Sequence, residues 1–194
     1  MTFLFQKTQR IAFLGDERFS QHRDRDVVAL TMERIALRDP TLGLSVLNAC
    51  ADGLTVARAL ASPPLEADWV VIALGMHDAF RQTDLEQFQR DYRELLAHYN
   101  ARVVICEPCA LQPNQIATLE PYRALVAELA FELNAPLAQS QRALNRVLPT
   151  TSADAWGSGL TLNASGSAVL TEELLGAIGF EVFEDDDEFP TEPE

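Results

Sequence analysis

The chain has 194 residues, 47% of them hydrophobic, which suits one well-buried domain and is too short for two of ordinary size. Its formal charge is −14, and eight of its 29 acids fall in residues 181–194, a segment without Lys or Arg. A net-acidic surface with no basic stripe argues against nucleic acid as a partner. The apolar opening of MTFLFQKTQRIAFLG is broken at Gln6, Lys7, Gln9 and Arg10, so neither a signal-peptide core nor an apolar run of about 18 residues forms. A cytoplasmic protein with no membrane partner is expected.

In chain order, IAFLG (11–15) reads as a buried strand, as do LSVLN (44–48) and WVVIAL (69–74), short apolar runs rich in β-branched residues. DLEQFQRDYRELLAHY (84–99) carries Leu85, Phe88, Tyr92, Leu95, Leu96 and Tyr99 on one stripe, which predicts an amphipathic helix capped by Asp84. RVVIC (102–106) gives a fourth strand. PYRALVAELAFEL (121–133) predicts a helix with Pro121 in its first turn. APLA (135–138) is a weak fifth strand, and NASGSAVLTEELLGAIG (163–179) predicts a last helix stopped by Gly179. This alternation implies a doubly wound parallel sheet with right-handed crossovers, in one domain spanning residues 1–180.

Cys50, Cys106 and Cys109 are an odd number of thiols, which argues against a disulfide framework. CEPC (106–109) has the spacing of a redox pair or of half a zinc site, but no second such pair or His pair accompanies it; buried structural thiols are the plainer expectation. Residues 181–194 offer only Val182, Phe183 and Phe189 to a core. They read either as a disordered solubilising tail, deletion of whose residues 184–194 leaves the melting temperature nearly unchanged, or as an interaction element.

In a parallel sheet of this kind ligands bind beyond the carboxyl ends of the strands. That selects loops starting at GDERFS (15–20), NACADGLT (48–55), GMHDAF (75–80) and CEPCAL (106–111), joined by WGSGLTLNASG (156–166). Together these blocks resemble the SGNH or GDSL hydrolase family of esterases and lipases. IAFLGDERFS is similar to the family's strand followed by Gly-Asp-Ser and a Leu or Ile. NACADGLTV resembles the block with an Asn and a later Gly-x-Thr. VVIALGMHDAF resembles Gly-x-Asn-Asp after a strand, and GSGLTLNASGSAVLTEELL resembles Asp-Gly-x-His at the start of the last helix. The resemblance implies a flavodoxin-like three-layer α/β/α sandwich with a five-stranded parallel sheet in the order 2-1-3-4-5.

It also implies where catalytic groups should stand: a Ser nucleophile, a His base with an Asp three residues before it, and oxyanion donors from the Ser N–H, a Gly N–H and an Asn side chain. Here the nucleophile position is Glu17, the oxyanion Gly is Gly53, and the Asn position is His77, followed by a matching Asp78. The Asp position is Ser158 and the His position is Thr161. The frame is kept while the nucleophile and base are missing. Ser20 lies too far past the loop to substitute, and of the other histidines His98 falls on the 84–99 helix while His22 reads as a surface residue.

Two classes of function follow. The first is a catalytically inactive family member with a binding or assembly role toward an unknown protein or small-molecule ligand, requiring no cofactor. The second is an enzyme with replaced chemistry, in which Asp16, Glu17, Asp52, Gly53, His77 and Asp78 line one pocket. Acid–base catalysis or a metal held by Glu17, His77 and Asp78 would then hydrolyse an ester or phosphoester; a residual esterase is a third possibility. Because strands 1 and 3 are neighbours in the implied sheet, Glu17 and His77 are expected within about 4 Å as a charge-assisted pair.

Overall fold

In the computed structural model, which describes residues 3–19, 26–148, 152–158 and 160–180, the first strand β1 (Arg10–Gly15) is paired on both sides. Its neighbours are β2 (Ser45–Asn48) and β3 (Trp69–Ala73), and the sheet continues through β4 (Arg102–Cys106) and β5 (Leu137–Ala138). The order is β2-β1-β3-β4-β5 and every pair is parallel. Register explains why the inner strands read as unbroken apolar runs. Ile11 stands opposite Trp69 and Phe13 opposite Val71, and these four residues belong to one core with Val104 and Cys106. The intervening Ala12, Leu14, Val70, Ile72 and Ile105 enter a second core on the other face. Because both faces are buried, neither side of the alternation can be polar.

The first core is closed by α1 (Val27–Arg38), α6 (Ser140–Val147) and α7 (Ala164–Ala177). The second lies under α2 (Val56–Leu60), α3 (Met76–Phe80), α4 (Leu85–His98) and α5 (Pro113–Glu132). The result is the three-layer α/β/α arrangement. Asp84 caps α4 by accepting from Gln87 N–H at 3.0 Å, and Asn163 caps α7 by accepting from Gly166 N–H at 3.0 Å. Among the described residues, no helix is long and apolar enough to cross a membrane.

Three expectations need correction. The helix assigned to 121–133 begins at Pro113, so Pro121 lies inside α5 rather than at its start. Pro113 already occupies the position where a missing N–H costs nothing. The buried stripe Leu119, Tyr122, Val126, Leu129 and Ala130 runs across Pro121, so tertiary burial carries the helix over the bond the proline cannot make. GMHDAF (75–80) is not a loop: Gly75 adopts φ +117° and launches α3 directly from β3. Finally, 156–166 contains a small antiparallel hairpin, β6 (Gly157–Ser158) with β7 (Thr161–Leu162). Ser20 and His22, and the acidic segment 181–194, lie outside the described residues.

Candidate functional site

β1 ends at Gly15 with its last residues paired to β3 through Gly15 and Ala73. The chain then turns through Asp16, whose Oδ1 accepts from Arg18 N–H at 3.0 Å and whose carbonyl accepts from Phe19 N–H at 3.0 Å. This Asx-type turn presents Glu17 over the carboxyl edge of the sheet. From the adjacent strand, α3 presents His77. Glu17 and His77 meet, with His77 Nε2 2.8 Å from Oε1 and 2.7 Å from Oε2 of Glu17. Both side chains are only 12% exposed.

A second donor reaches the same carboxylate from β2's loop. Gly53 sits at φ +65°, in the left-handed region that favours glycine. This turn directs its N–H to Glu17 Oε2 at 3.0 Å, while its carbonyl accepts from the Arg58 guanidinium at 3.0 Å. Burial alone would raise the Glu17 pKa, but the His77 hydrogen bond, the Gly53 N–H and Glu17's own N–H outweigh it and lower the carboxyl from 4.5 to about 2. In return the Glu17 hydrogen bond raises His77 above its ordinary 6.5, against burial. Asp16 moves the other way: burial lifts it from 3.8 to about 6 even though the Arg18 charge opposes the rise. The ionised Glu17 carboxylate thus favours the protonated form of His77, with a hard-to-ionise carboxyl beside the pair.

The remaining expected pocket residues do not join this pair. Asp78 is buried, and both its carboxylate oxygens accept from Val56 N–H, at 3.3 and 3.2 Å. It anchors the first turn of α2, and burial raises its pKa against that N–H. Asp52 is exposed in the turn before Gly53. Among the described residues no group of three His, Cys, Asp or Glu side chains converges to hold a metal ion, so Glu17, His77 and Asp78 are not brought together as ligands. Ser158 and Thr161 stand opposite each other across the β6–β7 hairpin. The Thr161 hydroxyl donates to the Ser158 carbonyl at 3.0 Å, tying the hairpin to itself. Cys50, Cys106 and Cys109 are buried and none is in a disulfide. Burial raises all three, Cys109 to about 11 against the Arg18 charge, which disfavours the thiolate form.

Arg18 is the residue that sequence reasoning passed over. It is 3% exposed, its Nε donates to Met76 Sδ at 2.8 Å, and neither terminal nitrogen has a hydrogen-bond partner among the described residues. The available signal was its position, directly after Glu17, where the resembled block carries Leu or Ile.

Comparison with known proteins agrees with this frame. The model of the GDSL-like lipase/acylhydrolase family matches residues 14–169. The chain belongs to the GDSL-like lipase/acylhydrolase family. This GDSL-like chain is 29% identical over 170 residues to an acetylxylan esterase of Geobacillus stearothermophilus, covering 73% of this chain and 75% of that protein. Among solved structures, that bacterium's acetylxylan esterase superposes with a TM-score of 0.79 at 23% identity, over 92% of this chain and 97% of the other. An alpha/beta hydrolase enzyme from the metagenome of Lake Arreo, Spain, gives 0.81 at 20% identity, over 92% and 99%. Catalytic mutants of the Geobacillus esterase replace a serine, an aspartate or a histidine.

Proposed function

We propose that this GDSL-family chain has no serine-esterase activity and serves a binding or assembly role. The observation that carries this reading is the Glu17 carboxylate, which takes hydrogen bonds from His77 and from Gly53 N–H. Aligned with the family's motifs, these are the donors that would receive the oxyanion of an acyl-transfer intermediate. A carboxylate already held there repels a second oxyanion about 4 Å away by roughly 4 kcal/mol at an effective dielectric near 20, about a thousandfold in rate. Losing the nucleophile or its base costs on the order of 10⁶ in turnover, and Thr161 at the base position has no group that takes a proton at neutral pH.

The test uses p-nitrophenyl acetate and butyrate, an acetylated xylo-oligosaccharide chosen for the acetylxylan esterase relative, and a fluorophosphonate probe for activated serines. No labelling and no turnover above background are expected. Turnover comparable to a working esterase, lost on substitution of Gly53 or Ser158, would overturn the proposal.

A second reading, hydrolysis by replaced acid–base chemistry, is favoured by one observation. Asp16 and Glu17 are adjacent carboxyls driven apart to about 6 and about 2, the pattern of an acid beside a base. On that reading an ester or phosphoester panel yields turnover that is abolished by Glu17→Gln and untouched by Ser158→Ala.

A further inference from the structure

Two guanidiniums converge over Gly53, at the rim of the Glu17 and His77 pair. The point where a Gly53 side chain would begin lies 3.9 Å from Arg58 Nη1 and 4.0 Å from Arg81 Nη2. Among the described residues, its chain neighbours apart, no other atom stands within 4 Å of that point. Arg58 belongs to α2 and Arg81 ends α3, and both residues are exposed. Arg58 gives one N–H of Nη1 to the Gly53 carbonyl at 3.0 Å, which leaves its other nitrogens for an outside acceptor. Among the described residues neither arginine is within ion-pair distance of a carboxylate, Asp52 in the same turn included. The other acids nearby are committed: Glu17 to His77 and Gly53 N–H, Asp78 to Val56 N–H. Two like charges facing one gap repel, and an anion between them relieves the repulsion. The planar fork of arginine fits a carboxylate.

Arg58 is also on the wall of a cleft of about 220 Å³, with Leu14, Leu54 and Tyr99 among its apolar lining. The room in it is written in the sequence. Leu47, Ala49 and Ala51 all pack against the second core, and after Leu47 that row shrinks to methyl groups. The backbone keeps its pairing with β1, through Ala49 N–H to the Phe13 carbonyl at 2.8 Å and Ala51 N–H to the Gly15 carbonyl at 2.9 Å. The strand edge therefore holds its place while its side chains leave a gap beside α2. Tyr99 is 6% exposed, and burial raises its phenol further above neutral pH, so it adds no charge to the gap. A cavity of about 150 Å³ holds a benzene ring, which sizes this one for a chain of about six carbons.

We propose that Arg58, Arg81 and this cleft bind a small monocarboxylate, its head between the two guanidiniums over Gly53 and its apolar body in the cleft. This rests on the binding reading of the site and names the chemical class of its ligand. The carboxylate is held intact, with no bond made or broken.

Hexanoate titrated into the full chain at low salt, followed by NMR, tests the proposal. It should shift the Gly53 amide resonance in a saturable way. Arg58→Gln and Arg81→Gln should each weaken its binding about tenfold, the loss of one charge-assisted hydrogen bond. Acetate carries the head without the body and 1-hexanol the body without the head, and each should bind at least about tenfold more weakly than hexanoate. Ala49→Leu, which fills the cleft, should weaken hexanoate and leave acetate as it is; if that variant does not fold, the comparison of acetate with hexanoate on the parent decides the same point. No Gly53 shift at about 50 mM hexanoate, or hexanoate binding unchanged in Arg81→Gln, overturns the proposal. So does acetate or inorganic phosphate binding as tightly as hexanoate, since the cleft then contributes nothing. Turnover of the p-nitrophenyl esters would overturn the binding reading and leave these affinities standing, whereas a missing hexanoate shift without turnover overturns this proposal alone.

Discussion

Replacing Glu17 by Gln removes one charge from the site while keeping the size of the side chain and an acceptor for Gly53 N–H. The expected loss follows from the geometry. His77 Nε2 lies 2.7 and 2.8 Å from the two carboxylate oxygens, and the fall of the carboxyl from 4.5 to about 2 corresponds to about 3 kcal/mol. Unit charges about 4 Å apart at an effective dielectric near 20 give about 4 kcal/mol, so two routes agree in order of magnitude. Because Gln keeps part of the hydrogen bonding, Glu17→Gln should cost about 2–3 kcal/mol near pH 5.5, or roughly 4–12 °C in melting temperature for a chain of this size.

The pH dependence carries the sign. The Glu17 contribution is fully present above 4.5 and is lost as pH falls through about 2. The His77 contribution is present below 6.5 and is lost as pH rises through its raised value. Asp16, lifted to about 6, favours the fold below 3.8 and loses that contribution as pH rises through about 6. Stability should therefore peak near pH 4, fall through pH 6 as Asp16 ionises and fall again above pH 6.5, and the gap between parent and Glu17→Gln should narrow at pH 3 and as pH rises through the raised His77 value. Thermal melts by circular dichroism from pH 3 to 9 check this, with NMR titration of His77 reporting a pKa above 6.5 in the parent and closer to it in the variant. A parent curve still climbing at pH 8, or a variant melting within 2 °C of the parent at pH 5.5, would refute the reasoning.

Pro121→Ala should stabilise the chain by about 1–3 kcal/mol in urea titration, because an N–H is restored inside α5; destabilisation would mean the proline is needed for packing there. Gly166→Ala should destabilise by more than about 2 kcal/mol, since an added Cβ would lie 2.2 Å from the Trp156 carbonyl oxygen and backbone cannot yield as a side chain does; a melting temperature equal to the parent's would contradict this. Glu17→Ser alone should remain unlabelled by a fluorophosphonate probe. The triple variant Glu17→Ser, Ser158→Asp, Thr161→His, which restores base and orienting carboxylate together, should label. Labelling of the single variant would show that some other group acts as base.

β1, β3 and β4 were legible because burial on both faces forces apolar, β-branched runs, whose alternation between two cores follows from the pleat; the strand expected as buried at 44–48 is instead the edge strand β2, with Val46 exposed. β5 barely registered in the sequence because only Leu137 and Ala138 pair with β4. The start of α5 was misread for a different reason. Pro121 satisfies the local rule for a first helical turn, and nothing local reveals that Leu119 is already buried on the same stripe. α3 escaped because its five residues are too few to establish a period.

The site divides along the same line between topology and side-chain direction. Glu17 and His77 follow β1 and β3, which pair directly, so strand order alone brings their loops together. Asp78 is one residue beyond His77, and successive side chains on a helix point about 100° apart. That rotation takes the Asp78 carboxylate away from Glu17 and onto Val56 N–H at the start of α2. Whether MHDAF is helix or loop thus decides whether two acids and a histidine form a metal cage or one ion pair beside a structural anchor. A Cys, Asp or His placed at position 77 or 78 has its role set by that turn, and the turn in turn rests on Gly75, whose φ of +117° lets β3 feed α3 without an intervening loop. The electrostatics of the site are therefore fixed by a glycine two residues before the histidine. An added Cβ at Gly75 would crowd Phe88 and Pro108 at 3.2 and 3.3 Å, so Gly75→Ala should move His77 off Glu17 and return its NMR-measured pKa toward 6.5. An unchanged His77 titration in a folded Gly75→Ala variant would break the link between turn and charge.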